Sequence, residues 1–299
     1  AKANPHFKKD SERVKSENIV SLDYAFIGDA AQVESDADDE SDDHRDSNGN
    51  LKVLVSRDTR GYVCANVVPR KGDHPYAVHR VGHDLSNIMG YKRVIAKSDQ
   101  EPAIRKLKEA VRVEYSLEMP DELSAVGDSQ SNGQIEVTIQ VVEGQVRTLK
   151  CHLEHRLGRE VPTTHPVLPW LIRHAGATIS RYQKGPDGLT AYRRLRGRNY
   201  DRVAIEFGEC VWYLLNKDKK RGKIQPRWAT GVYLGSREES NEIIIGTSEG
   251  VIKARSFRRQ GRNEDRWDVD RILGVKGLPW EPIPGVKTYD VRSRVTIAV

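Results

Sequence analysis

A long apolar stripe in the middle of the chain constrains the fold more than any other sequence feature. Between Ile135 and Leu157, apolar residues recur at intervals of three and four, which predicts one amphipathic helix of more than six turns. Ser131 and Gln134 form a capping-box pair at its start, and Gly158 is expected to end it. A helix this long must bury its apolar face against another layer of the protein. The stripe consists of Ile135, Ile139, Val142, Val146, Leu149, Leu153 and Leu157.

Short β-branched runs and shorter helical patterns surround this helix. Predicted strands cover 19–28, 51–58, 61–70 and 93–99, the second and third forming a hairpin about Thr59-Arg60. Helices are predicted from Asp73 or Pro75 to Gly90, from Pro102 onward, and over about 166–182. Together these elements predict an α/β fold with a mixed sheet flanked by helices, over residues 19–202.

The residue pattern of the sequence changes after about residue 203. Several short strands separated by Gly, Ser and charged turns predict a small antiparallel β-barrel over 203–262. Residues 1–18 are interpreted as a linker and 263–299 as a tail or linker, which makes the chain a piece of a longer polypeptide. The stretch 29–50 holds nine acidic residues and one basic residue, and it predicts a disordered insert.

The basic residues concentrate near the C-terminus. Residues 181–299 contain 25 Lys/Arg and 15 Asp/Glu, which suggests a polyanionic partner, with a merely soluble basic surface as the alternative. One basic run within the predicted barrel is a candidate for phosphate contacts or a nuclear-localisation patch, and a solvated hairpin tip is the alternative. The run consists of Lys217, Lys219, Lys220, Arg221 and Lys223.

Cysteine and hydropathy patterns restrict the class of protein. The three cysteines, Cys64, Cys151 and Cys210, are widely spaced, which excludes a disulfide framework and a CxxC zinc site and predicts an intracellular location. No apolar run has the roughly 18 residues needed to span a membrane, and no signal peptide is visible. A membrane partner is therefore not expected.

Three carboxylates occupy positions where they can converge. Asp23 interrupts the first apolar strand, where a charge is costly unless it is paired or coordinates a metal. Asp99 follows the predicted strand 93–99, at the end of a sheet where ligands bind, and Glu136 lies at the edge of the apolar stripe. Clustered carboxylates suit Mg²⁺ or Mn²⁺, and two such ions clamp both reacting oxygens of a phosphodiester.

The segments that carry these residues resemble the catalytic core of a copia-type retrotransposon integrase. The segments are IVSLDYAF, KSDQEPA and SQSNGQIEVTIQ, and FGECVWYL and RWATGVYLG resemble the barrel-like module that follows that core. The resemblance covers roughly 19–260. Asp99 and Glu136 are 37 positions apart, close to the family spacing. Val137 and Gln100 stand where the family pattern has Arg and Asn.

The resemblance implies an RNase H-like fold and a DNA strand-transfer activity that depends on two divalent ions. It makes Asp23, Asp99 and Glu136 the metal ligands and catalytic residues. The partners would be element ends and target duplex DNA, bound by a homo-oligomer. The protein would act in the nucleus, with cytoplasmic particles as its earlier location. The alternatives are a decayed or domesticated DNA-binding derivative, or a metal-dependent nuclease or transposase on the same fold.

Other candidate residues have a simpler interpretation. Glu143 and Asp128 are alternatives to Glu136, but they are interpreted as a solvated helix flank and a loop acid. His79 and His83 have metal-capable spacing but are interpreted as a polar helix flank, and Cys151 with His152 and His155 as solvent-facing residues. The aromatic residues Trp212, Trp228 and Tyr233 are expected in the barrel core.

Overall fold

The first sheet has four strands of mixed direction. The computed structural model describes residues 18–29, 43–99, 101–120, 133–215, 223–240 and 242–293. Three strands form an antiparallel meander, and the fourth pairs in parallel with the first, giving the order β3-β2-β1-β4. The mixed α/β prediction is confirmed. The strands are β1 (Ile19–Ile27), β2 (Leu51–Asp58), β3 (Val63–Val67) and β4 (Ile95–Lys97).

Five helices accompany this sheet in the described part of the chain. The first continues from His83 into a π-helical turn, Asp84–Ile88, before Gly90 ends the segment with a positive φ of 77°. The long apolar stripe forms one helix, as predicted, although Ser131 of the capping pair lies outside the described residues. The helices are α1 (Pro75–His83), α2 (Pro102–Tyr115), α3 (Gly133–Leu157), α4 (Val167–Tyr182) and α5 (Ala191–Arg196).

The alternation of side chains along β1 divides the core into two layers. Val20, Leu22 and Tyr24 pack with residues of α1 and α2 on one face. Ala25 packs on the other face, with residues of β2, β3, α3 and α4. Because successive strand residues point to opposite faces, Asp23 belongs to the same face as Ala25, the one that α3 and α4 cover.

The second sheet has five antiparallel strands in the order β8-β7-β6-β5-β9. The two outer strands, β8 and β9, follow each other in sequence and are separated only by Arg255 and Ser256. Two residues span at most about 11 Å, so the sheet must curl until its edges come close. The edges do not pair in the described residues, so the structure does not confirm the predicted small β-barrel. The strands are β5 (Cys210–Leu214), β6 (Trp228–Ser236), β7 (Ile243–Thr247), β8 (Gly250–Ala254) and β9 (Phe257–Arg259).

The second sheet shares its core with the first. Val232, Leu234 and Ile244 belong to the same buried cluster as Trp170 and Ile172 of α4. The division at residue 203 therefore separates two sheets that one hydrophobic core joins. Among the aromatic residues assigned to a barrel core, Tyr233 is buried, whereas Trp228 is half-buried and Trp212 is 41% exposed.

The segment from 263 to 293 is part of this core, so its prediction as a tail or linker is wrong. It contains the short helices α6 (Asn263–Arg266) and α7 (Val269–Leu273). The indole Nε1 of Trp170 donates to the carbonyl oxygen of Gly277 at 3.0 Å. Apolar side chains within a polar sequence anchor the segment, and those that are buried are Trp267, Ile272, Val275, Ile283 and Val291.

The predicted disordered insert differs from the structure at its C-terminal end. Residues 30–42 lie outside the described residues, but 43–50 form a turn. Arg45 donates to the carbonyl oxygens of Gly49 and Thr163, both at 2.6 Å, and Asn50 is buried. Composition alone missed this turn because its stability comes from hydrogen bonds to a distant loop.

No helix in the described ranges is both long enough and apolar enough to cross a lipid bilayer.

Candidate active site

Two of the three predicted carboxylates lie on neighbouring parallel strands. Ser21 of β1 is opposite Lys97 of β4. Two residues further along the chain direction come Asp23 on β1 and Asp99 just after β4, so the two carboxylates occupy matching positions. Asp23 is half-buried between the buried residues of its strand, and Asp99 is exposed.

The negative charge of Asp99 acts on Asp23, in keeping with the matching positions of the two carboxylates. Burial raises the pKa of Asp23 to about 6, and the negative charge of Asp99 is the next largest cause. The amide of Tyr24 donates to Asp23 Oδ1 at 2.8 Å and opposes the rise, as does the positive charge of Lys71. An acid with a raised pKa beside a second acid marks a local excess of negative charge.

A buried ion pair next to these carboxylates was not predicted from the sequence. Lys71 Nζ lies 2.8 Å from Glu101 Oε1, and both side chains are nearly buried. The ammonium also lies over the rings of Tyr24 and Phe26, at 5.2 and 4.9 Å from their centroids. Glu101 adds to the negative potential at Asp23. The sequence signal was weak, since Lys71 and Glu101 are 30 residues apart and belong to no local motif.

The third predicted carboxylate, Glu136, is not brought into the same group. Ile135 and Thr138 are buried, and Thr138 Oγ1 accepts from Arg57 Nη1 of β2 at 3.1 Å. Glu136 is displaced about 100° around the helix from Ile135, away from Thr138, and it is exposed. Within the ranges that the structure describes, no three His, Cys, Asp or Glu side chains are close enough to hold a metal ion.

The pair of Asp23 and Asp99 nevertheless fits a divalent cation as a partial site. Carboxylate oxygens are the ligands that Mg²⁺ and Mn²⁺ prefer, and a cation between them would relieve the repulsion that raises the pKa of Asp23. Asp23 belongs to the sheet face that α3 covers, and Glu136 lies in the first turn of that helix. The trio of Asp23, Asp99 and Glu136 stays a prediction.

Of the two acids considered as alternatives to Glu136, one lines a cavity and the other lies outside the described residues. Glu143 lines a cavity of about 250 Å³ at the end of β1, together with Arg147 and Lys150. Asp128 lies outside the described residues. The predicted basic run is described only at Lys223, which is exposed, because its other members also lie outside the described ranges.

The histidine pairs are held by polar contacts of their own. His83 forms an ion pair with Glu239, and the hydroxyl of Tyr115 lies 3.0 Å from Nδ1 of His79. On α3, His152 Nε2 lies 2.6 Å from Glu206. His152 is thus tied to the loop before β5, and its side chain is still 41% exposed.

Comparisons with known proteins give weak similarities to integrases. No protein-family model and no curated protein matches the chain. The catalytic core of HTLV-2 integrase, solved as a dimer with magnesium, has a TM-score of 0.37 and 12% identity, covering 60% of this chain and 94% of that one. The BIV integrase core has a TM-score of 0.37 and 13% identity, covering 59% of this chain and 92% of that one.

A third similar structure is a larger assembly. It is the simian T-cell lymphotropic virus intasome in complex with the PP2A regulatory subunit B56 gamma, with a TM-score of 0.39 and 10% identity. The match covers 82% of this chain and 81% of that chain. All three TM-scores lie below 0.5, so neither the activity nor the metal of these proteins transfers to this chain on that basis.

Proposed function

We propose that the protein is a polynucleotidyl transferase of the copia-type integrase kind, which processes the 3′ ends of element DNA and joins them to target DNA. The observation that carries the proposal is the placement of Asp23 and Asp99 at matching positions beyond Ser21 and Lys97 of two parallel strands. The sequence resemblance over 19–260 supports the finer assignment of the substrate. Action in the nucleus, as a homo-oligomer, follows from the same assignment.

The proposed metal ligands are Asp23 and Asp99, with Glu136 added from α3. Two Mg²⁺ or Mn²⁺ ions at this site would polarise the attacking oxygen and stabilise the leaving oxygen of a phosphodiester. Because the pKa of Asp23 is about 6, this carboxylate is mostly ionised at pH 7 and is available as a ligand. Lys71 supports that ionised form, since its charge lowers the pKa of Asp23.

The decisive experiment measures metal-dependent joining of oligonucleotide ends with the whole chain. Asp99→Asn keeps the side-chain shape and removes one ligand charge, so we expect strand transfer and nicking to fall by several orders of magnitude while the fold and DNA binding persist. Glu136→Gln should cause a similar loss. Glu143→Gln is the matched control on the same helix, and it should retain activity. Full activity in Asp99→Asn would show that the carboxylate assignment is wrong.

A second candidate is a DNA-binding derivative without activity. It is favoured by the exposed position of Glu136 and by Val137 and Gln100, which depart from the family pattern. In that case the wild-type chain binds DNA but neither nicks nor joins it in Mg²⁺ or Mn²⁺. A metal-dependent nuclease is distinguished by nicking without joining.

A further inference from the structure

A basic and aromatic surface surrounds α5, away from the paired carboxylates. Arg193 and Arg196 lie on this helix, and Arg198 and Arg202 lie in the loop that follows it; all four side chains are exposed. Tyr182, at the C-terminal end of α4, is 49% exposed beside them. We call these five residues the arginine surface.

Aromatic contacts hold this region in a defined shape. The ring of Tyr200 meets the rings of Tyr182 and Tyr192 edge-on, at centroid distances of 5.8 and 5.2 Å. The guanidinium of Arg181, which is buried, lies over the ring of Tyr200, 4.6 Å from its centroid. The loop after α5 is therefore fixed against α4, and the exposed part of the Tyr182 ring is presented on a rigid support.

One arginine of the segment has a structural role instead. Arg194 forms an ion pair with Asp187 and donates to the carbonyl oxygens of Arg60 at 2.7 Å and Leu189 at 3.1 Å. These contacts attach α5 to the turn between β2 and β3. Asp187, one of two acids between 181 and 202, is thus already occupied.

The remaining arginines have no ion-pair partner in the described part of the chain. Residues 181–202 contain seven basic and two acidic residues. No described carboxylate forms an ion pair with Arg193, Arg196, Arg198 or Arg202, although exposed arginines so close in sequence repel one another. A polyanion reverses this balance, because its phosphates pair with the guanidinium groups and release condensed counterions.

We propose that the arginine surface binds a single-stranded segment of nucleic acid. Its arginines contact successive phosphates, and Tyr182 stacks on an unpaired base, as aromatic residues do in single-strand binding sites. The choice of DNA as the polyanion rests on the proposed function. The surface itself lies near the start of β1, because Arg194 contacts Arg60, the neighbour of Thr59 whose amide donates to Ile19. Asp23 is about 13 Å further along the strand.

The test measures affinity of the whole chain for a single-stranded oligonucleotide in EDTA, at several salt concentrations. The variant Arg193→Gln/Arg196→Gln/Arg198→Gln should weaken binding about tenfold or more at low salt. It should also reduce the slope of log affinity against log salt by about 2, since each single-strand phosphate contact contributes about 0.7. The charge-matched control is Lys92→Gln/Arg159→Gln/Lys287→Gln, three exposed residues outside the surface. It should have a much smaller effect.

The aromatic part of the proposal has its own variant. Tyr182→Ala should weaken single-strand binding about tenfold and leave duplex binding nearly unchanged, because paired bases are not available for stacking. Equal losses on single strands and duplex would contradict the stacking role. Equal losses in the two triple variants would overturn the whole assignment. Competition by polyglutamate as effective as by oligonucleotide would also overturn it, by identifying an acidic protein as the partner.

These measurements separate the surface from the proposed activity. Binding in EDTA requires no metal, so a chain without strand-transfer activity can still show the loss in the triple arginine variant. Conversely, if every arginine variant joins DNA as the wild type does, the proposed activity stands and the assignment of the arginine surface fails. Thermal melting of each variant confirms that binding changes are not unfolding. Arg194→Gln serves as the folding reference, since it should lower the melting temperature.

Discussion

At Asp23, burial and a neighbouring charge act in the same direction on one carboxyl group. The folded state holds the proton of Asp23 more tightly than the unfolded chain does, because the pKa rises from 3.8 to about 6. The contribution of Asp23 to folding stability is therefore complete below about pH 4, and it is lost as the pH rises from about 4 through 6. The negative charges of Asp99 and Glu101 raise the pKa of Asp23 further. The clustered carboxylates therefore lower the stability of the fold while providing negative charge for a ligand.

Substitution of Asp23 should remove this pH dependence. We expect Asp23→Asn to be more stable than the wild type at pH 8 and to lose about half of that advantage at pH 5. The difference between the two pH values should be about 1 kcal/mol, after allowance for partial solvent screening. Urea unfolding of both proteins at both pH values measures it. An advantage that is equal at pH 5 and pH 8 would contradict the raised pKa.

Part of this site was predictable from sequence and part was not. Asp23 and Asp99 were found because a charge inside or directly after an apolar strand is locally conspicuous. Lys71 and Glu101 were missed because their contact depends on how β3 and α2 come together in three dimensions. The sequence placed Glu136 at the edge of the apolar stripe and no more closely than that. The direction in which this edge faces depends on the rotation of α3 about its axis.

At the scale of elements, the periodicity of apolar residues predicted which helices and strands exist. Long-range contacts determined their bends and irregularities. The six-turn stripe of α3 and the apolar pattern of α4 appear as continuous helices. The π-helical turn after α1 has no sequence signal of comparable strength. The run 250–259 is β-prone throughout its sequence, but a bend at Arg255 and Ser256 divides it into β8 and β9, which lie at opposite edges of the sheet.

The packing of α4 against β3 depends on one small residue. A Cβ atom at Gly176 would lie 2.9 Å from the backbone nitrogen of Ala65, which cannot move without disturbing β3. We expect Gly176→Ala to lower the free energy of unfolding by about 1–3 kcal/mol. Gly144→Ala in α3 is the matched control, since a Cβ there meets nothing within 4 Å. Alanine should stabilise that helix by about 0.5–1 kcal/mol.

Chemical denaturation of the two alanine variants tests this contrast directly. Opposite signs for Gly176→Ala and Gly144→Ala are the expected result. A neutral or stabilising Gly176→Ala would mean that α4 and β3 can separate without cost, which contradicts the close approach of helix and strand.

At the scale of the whole molecule, one core joins two sheets that the sequence presents as separate modules. Composition changes near residue 203, and the first strand of the second sheet, β5, begins at Cys210. Composition could not show that β6 and β7 pack against α4, because burial between distant segments has no local pattern. The same limitation explains why the segment 263–293, polar on average, was predicted to be a tail.

Truncation should therefore damage the whole fold rather than remove an appendage. A chain ending at residue 262 loses five buried apolar side chains, and the buried indole N–H of Trp170 loses its acceptor. Each buried apolar side chain contributes about 1.5–3 kcal/mol, so the sum is comparable to a typical net stability. We expect no cooperative thermal transition for that chain. The side chains lost are those of Trp267, Ile272, Val275, Ile283 and Val291.

The control for this truncation is a chain ending at residue 293. This chain keeps all five buried side chains and the acceptor of Trp170, so we expect it to retain a cooperative thermal transition. Cooperative melting of the shorter chain at the wild-type temperature would show that the two sheets are held together by α3 and α4 alone.

The bond from Trp170 to Gly277 also bears on how the protein is made. Its two ends are separated by 107 positions, so the ribosome completes α4 well before it supplies the acceptor. At translation rates of about 5–20 residues per second, the nascent chain spends roughly 5–20 s with this apolar face uncovered. During that interval the half-made protein exposes the surface that chaperones recognise, and its yield in cells should depend on them more than the stability of the finished molecule would indicate.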